Sequence, residues 1–210
     1  MSDEEKQYRH YNGGAIVGIV SHHKERKSQG KAAIPYLQMQ IQCSSDLYGA
    51  VKVFANLWGR QKIDTFLDSL KGSPGRPYYF RGFFNQFDDE SEGRRLSNYT
   101  VYEFMPSNAS DFMASFVLKG AVTDSRKLED GTGKLYIHVA REGANDQTVE
   151  EAFEIYTISA QEIDGLVEGS TIEAKGFLRA RKPFDSYGMP ETDIRPFAME
   201  IKTLGKGRPF

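Results

Sequence analysis

The chain has 210 residues, 39% hydrophobic and 27% charged, with 27 Lys and Arg against 29 Asp and Glu and a formal net charge of −2. With a pI near 6.1 and a mean hydropathy of −0.54, it reads as an ordinary globular chain, and no apolar run approaches the roughly 18 residues of a membrane span. The polar start, Met1-Ser-Asp-Glu-Glu-Lys6, has no signal-peptide character, and the lone Cys43 excludes an internal disulfide and a Cys-rich zinc site, so a reducing, cytoplasmic setting is expected.

In chain order, residues 1–12 read as a flexible N-terminal segment. Apolar and β-branched runs then predict strands at Val17–Val20, Leu37–Ile41 and Val51–Trp58. Ile63, Phe66, Leu67 and Leu70 switch to i, i+3, i+4, i+7 spacing, the stripe of a short helix. Two further strands, Tyr78–Phe87 and Tyr99–Phe104, complete a first domain over 13–105, and residues 106–113 read as a linker.

The same order then repeats. Phe116–Val122 is a strand, Lys127–Gly133 is a turn by composition, and Leu135, Ile137 and Val139 alternate with Tyr136, His138 and Ala140. Phe153–Ile158 alternates again, and Ile163, Leu166 and Val167 predict a second short helix with Gly169 at its cap. Ile172–Lys182 is a long strand, Pro183–Ile194 a long loop and Pro196–Ile201 the last strand. The second domain covers 114–204, with 205–210 as a tail.

Self-similarity supports this division. Gln61-Lys-Ile-Asp-Thr-Phe-Leu67 returns 100 residues later as Gln161-Glu-Ile-Asp-Gly-Leu-Val167. At that offset Leu37 and Met39 meet Ile137 and Val139, and Val53 and Ala55 meet Phe153 and Ile155. Arg81-Gly-Phe83 corresponds to Lys175-Gly-Phe177, and Gly18-Ile-Val-Ser21 to Gly120-Ala-Val-Thr123. Five matched segments in one order mean two tandem copies of one unit. Three strands, a short helix and two strands make the fold class all-β with one short helix per domain: two tandem oligonucleotide-binding (OB) five-stranded Greek-key barrels.

The fourth strand of each copy carries the most chemistry. In the second copy Ile172, Ala174, Gly176, Leu178 and Ala180 point one way, and Glu173, Lys175, Phe177, Arg179 and Arg181 the other. In the first copy the matching outer set is Tyr79, Arg81, Phe83, Asn85 and Phe87, while Tyr78 and Phe80 read as core. Rings beside cations on one exposed face suit single-stranded nucleic acid, since bases stack on rings and phosphates follow cations without regard to sequence. Trp58 is evenly balanced between a stacking platform and a barrel plug. The basic stretch His22–Lys31, with Lys24, Arg26, Lys27 and Lys31, reads as the loop between the first two strands, a position that lines the OB groove; for any one residue a solvated charged loop is as good a reading. Arg60 and Lys62 beside Trp58, Arg94 and Arg95 in the Phe87–Asn98 loop, Tyr136, Lys182 and Phe184 join the candidates.

Enzyme signals fail on inspection. Gly131-Thr-Gly-Lys-Leu135 lacks the Ser or Thr of a phosphate loop, and Leu128 occupies the first Gly position. The His residues have no metal spacing, and no nucleophile elbow or Cys–His pairing is evident. No enzyme activity and no cofactor are expected.

Glu168-Gly-Ser-Thr-Ile-Glu-Ala-Lys-Gly-Phe-Leu-Arg-Ala-Arg-Lys182 resembles the helix-to-strand segment of bacterial-type single-stranded DNA-binding proteins. Gly176, Leu178, Arg179, Arg181 and Lys182 match, and Phe184 is one position late for the aromatic that follows. Tandem copies look like the two-barrel bacterial and phage-type members of that superfamily. The resemblance implies a non-enzymatic coat for single-stranded DNA in replication, recombination or repair, with replication or recombination proteins as partners. Two barrels already offer a composite groove, which suits a monomer, yet the edge strands of open barrels invite pairing, and a homodimer is the expected state. Members of that family commonly end in an acidic tail that closes with Pro-Phe and recruits other replication proteins; here Pro209-Phe210 follows Gly205-Lys-Gly-Arg208 without the acids, a departure from that pattern. The competing expectations are a structural or assembly scaffold, such as a virion or replisome protein–protein module, and an RNA-binding module.

Overall fold

Strict alternation of apolar with polar side chains builds most of this molecule, a computed structural model that describes residues 11–29, 32–45, 49–89, 94–142, 147–180 and 194–205. In the first repeat β1 (Tyr11–Lys27), β2 (Pro35–Ser45) and β3 (Gly49–Trp58) are followed by α1 (Arg60–Gly72), β4 (Tyr78–Asp89) and β5 (Arg94–Pro106). In the second, β6 (Ala114–Lys127), β7 (Gly133–Glu142) and β8 (Thr148–Thr157) lead through one 3-10 turn at Ala160–Ile163 to β9 (Thr171–Ala180) and β10 (Ile194–Gly205). By its internal contacts the chain divides into two compact units, whose main bodies are Gly13–Phe116 and Val117–Gly176 with the residues from Phe197.

Within the first repeat the strand order is β2-β3-β5-β4-β1, and β1 also pairs with β2, closing the ring. The second repeat reads β6-β7-β8-β10-β9 and closes through β6 and β9. β3 runs parallel to β5, and β8 parallel to β10. This is the Greek-key order of the OB barrel, present twice.

Each ring closes around one face of every strand. In the first barrel Leu37, Met39, Ile41, Val53, Ala55, Leu57, Phe80 and Phe84 are buried, and α1 drives Ile63 and Phe66 underneath. Phe66 meets Tyr78, Phe80 and Phe104 at ring distances of 5.2, 5.7 and 5.0 Å, two of them edge-on, the geometry favoured by ring quadrupoles. Cys43 lies wholly inside, and burial pushes its thiol up to about 12. In the second barrel Leu135, Ile137, Val139, Phe153, Ile155, Ile172, Ala174 and Leu178 form the core.

The second helix is a correction to the sequence reading. Ser159 accepts from the Gln161 N–H, and the chain makes i→i+3 bonds from Glu162 to Ser159 and from Asp164 to Gln161. Gly165 then adopts φ +78°, which ends the turn after Ile163. Of the three apolar residues whose spacing suggested a helix, Ile163 is buried, Leu166 half-buried and Val167 exposed.

Two glycines that the repeats share have one structural cause. A Cβ on Gly82 would run into the Thr100 carbonyl, and one on Gly176 into the Phe197 carbonyl. The fourth strand therefore passes the fifth at a distance only glycine permits.

The repeat register also needs correcting in one place. Ile41 pairs with Val53, whereas Ile137 pairs with Phe153, so with the third strands aligned the second hairpin is four residues longer. Ile41, not Leu37, is the counterpart of Ile137; an even shift preserves the alternation, which hid it from the sequence.

Candidate nucleic-acid interface

The outward residues of β1, β2 and β3 fall into cross-strand rows. Arg26 faces Tyr36, which faces Trp58; Lys24 faces Gln38 and then Asn56; His22 faces Gln40 and then Phe54; Gln42 faces Lys52. Tyr36 and Trp58 stack with centroids 4.6 Å apart at 27°. The Arg26 Nε donates to Gln38 Oε1 at 2.9 Å, and Ser21, at the β1 bulge, donates its hydroxyl to the Gln40 carbonyl at 3.2 Å. Phe54 is 48% exposed. The three strands therefore present rings, amides and cations together. No carboxylate shares these rows, and among the described residues none pairs with Lys24, Arg26 or Lys52.

The face continues onto β5 and β4. Phe54 faces Asn98, Asn56 faces Thr100, and these meet Asn85 and Phe83 on β4. The Asn85 amide donates to Asn98 Oδ1 at 3.2 Å and to Thr100 Oγ1 at 3.0 Å. Phe83 lies 5.4 Å from Tyr102, and the Arg81 guanidinium stands over the same ring at 6.0 Å.

The structure corrects several expectations for the first barrel. His22–Lys27 is strand rather than loop: β1 continues past its bulge and pairs with β2 as far as Lys27 and Pro35. Lys24, Arg26 and Lys27 are exposed on it, while Lys31 lies outside the described residues. Trp58 is half-buried on the outward side of β3 and stacked on Tyr36, so it does not plug the barrel. Arg60 is engaged by Glu25 at 2.9 Å and Asp64 at 3.4 Å, which hold its guanidinium charge more firmly. Lys62 donates to the Tyr102 carbonyl at 3.0 Å. Arg95 pairs with Asp88 at 3.0 Å in the β4–β5 ladder, which turns most of the expected loop into strand. Arg94 faces Asp89 in that ladder; its side chain lies outside the description. Tyr79 and Phe83 are half-buried and Arg81 and Phe87 exposed, while Tyr78 and Phe80 are fully buried, so the two sides of β4 separate as expected.

In the second barrel Ile172, Ala174, Gly176 and Leu178 turn inward, and Phe177 and Arg179 are half-buried on the other side of β9. Lys175 is exposed but bridged to Glu173 at 2.9 Å and Glu200 at 3.8 Å. The hydrogen bond to Glu173 raises the lysine's pKa and lowers the acid's. Tyr136 is half-buried beneath two cations, Lys134 Nζ at 5.0 Å and the Arg126 guanidinium at 5.6 Å. Arg181, Lys182 and Phe184 lie outside the described residues.

Sequence reasoning passed over Tyr36, Gln38, Gln40, Lys52, Phe54 and Asn56. The signal was available: Lys52, Phe54, Asn56 and Trp58 alternate with buried Val51, Val53, Ala55 and Leu57, which marks them as outward. Among the described residues no group of three or more His, Cys, Asp or Glu is placed to hold a metal ion.

No family model matches the sequence. No curated protein matches it either. Solved structures do. The wild-type single-stranded DNA binding protein from Thermus aquaticus matches at 17% identity over 96% of this chain and 97% of that chain, with a TM-score of 0.62. A deletion mutant of the same Thermus aquaticus protein matches at 16% identity over 96% and 98%, with a TM-score of 0.61. At this identity the likeness is one of fold.

Proposed function

We propose that the chain binds single-stranded DNA, largely without regard to sequence, and covers it during replication, recombination or repair. The observation that carries this reading is the carboxylate-free outer face of β1–β2–β3, where Lys24, Arg26 and Lys52 share rows with Tyr36, Phe54 and Trp58. In OB barrels the second and third strands are the surface on which oligonucleotides lie. Stacking on exposed rings contributes about 1–3 kcal/mol per base and tolerates every base. Gln38, Gln40 and Asn56 each donate and accept, so they accommodate any base edge. Arg81 and Phe83 extend the path on β4, and Phe177 and Arg179 hold the matching places on β9.

The fold likeness to a single-stranded DNA binding protein over nearly the full length of both chains supports the reading. Titrating the fluorescence of Trp58 with oligo-dT tests it. Binding at low salt that quenches the emission, weakens as added salt reduces the entropy gained when counterions leave the DNA, and is poorly matched by duplex is the expected result. No binding of oligo-dT at low salt sinks the proposal. Competition with oligo-U separates DNA from RNA as the preferred strand.

A further inference from the structure

The second barrel presents the same three strands, and register identifies the equivalents. Lys24 and Gln38 correspond to Arg126 and Lys134, His22 and Gln40 to Asp124 and Tyr136, and Phe54 and Asn56 to Glu154 and Tyr156. Here the cations are matched by acids on the same face. Arg126 Nε meets Asp124 at 2.7 Å, and Lys134 Nζ meets Glu154 at 2.9 Å with both side chains only about one-fifth exposed. His138 lies 3.8 Å from Glu150. Burial pulls the Lys134 ammonium down, but its bonds to Tyr136 and Glu154 outweigh that and raise it. The stacked pair is missing too: one step beyond the Gly133–Thr157 pair, Thr132 and Ile158 stand where the first barrel has Tyr36 and Trp58.

We propose that Asp124 and Glu154 set how much of this chain engages single-stranded DNA, by holding Arg126 and Lys134 away from phosphate. The β6–β8 face is then a closed counterpart of the β1–β3 face, and of the two three-strand faces only that of the first barrel meets phosphate. This rests on the proposed binding of single-stranded DNA. A carboxylate already at 2.7–2.9 Å supplies the charge a phosphate would bring and repels the phosphate itself. Partial burial of the Lys134–Glu154 pair shields it from the salt screening that weakens exposed pairs.

The test is the salt dependence of oligo-dT binding by the full chain, with folding of every variant checked by circular dichroism. Lys24→Ala with Arg26→Ala should weaken binding several-fold and flatten the slope of log K against log salt by about 1.4, two contacts at about 0.7 each. Arg126→Ala with Lys134→Ala should leave affinity within about twofold and the slope unchanged, as expected where neither cation meets a phosphate. Asp124→Asn with Glu154→Gln should tighten binding and steepen the slope by about 1.4. That gain cannot come from a misfolded variant. The proposal is overturned if the Arg126/Lys134 pair loses as much as the Lys24/Arg26 pair, or if neutralising Asp124 and Glu154 changes neither affinity nor slope. Failure of the unmodified protein to bind oligo-dT would instead remove the function itself.

Discussion

Beneath the first barrel α1 inserts Ile63 and Phe66 into a cluster with Tyr78, Phe80 and Phe104, whereas beneath the second a single 3-10 turn supplies Ile163. Outside, the contrast runs through charge: among the described residues Lys24, Arg26 and Lys52 face no carboxylate, while Arg126 and Lys134 are each held by one. Yet both barrels keep a glycine where the fourth strand crosses the fifth. The two barrels thus differ in the plug and in the outer rows but not where the fourth strand passes the fifth, because that is a backbone-to-backbone contact and the rest is side chains.

Several substitutions would break or sharpen this contrast. The largest effect is expected at the plugs. Phe66→Ala should lower the urea-unfolding free energy by about 3–5 kcal/mol, and Ile163→Ala by nearer about 2 kcal/mol, since a smaller side chain leaves a smaller cavity. Equal losses would mean the two plugs are equivalent after all. The shared crossings come next: Gly82→Ala and Gly176→Ala should each cost about 1–3 kcal/mol in the same assay, as overpacking against a carbonyl does. A cost at one glycine alone would deny the common cause.

On the outer faces, Trp58→Ala should weaken oligo-dT binding by about 1–3 kcal/mol, and Ile158→Ala, at the equivalent position, should leave it unchanged. The smallest effect is expected at Lys175. Glu173→Gln with Glu200→Gln should free its ammonium and steepen the salt slope by about 0.7 if it lies beside a phosphate. Acid should act the same way. The pKa of Glu173 is depressed, so its attraction for Lys175 is complete above the ordinary carboxylate range and fades only as pH falls below it. Binding that ignores both changes would take Lys175 out of the path.

What the sequence disclosed follows from how local each cause is. The alternation around Gly82 and Gly176 placed Tyr78, Phe80 and Leu178 inside and Phe83 and Phe177 on the other side, because a period of two leaves only two choices. The extent of β1 was hidden. Its last six residues, His22–Lys27, are charged or polar, and only their long-range ladder with β2 makes them strand. The second helix was overread because Leu166 and Val167 have helical spacing, but Gly165 ends the turn first. The outward rows of β2 and β3 went unnoticed because isolated amides carry little signal until the register sets Gln38 beside Asn56 and Lys24. Ion pairs such as Lys134–Glu154, 20 residues apart, depend wholly on register.

The one thiol of the chain, on Cys43, is sealed in the first barrel, out of reach of a maleimide, and burial pushes its pKa up to about 12, away from the reactive thiolate. A cysteine placed at an exposed position of either barrel would thus be the sole handle for a dye in the native protein. Each half could be lit separately, with no need to disturb the natural residue.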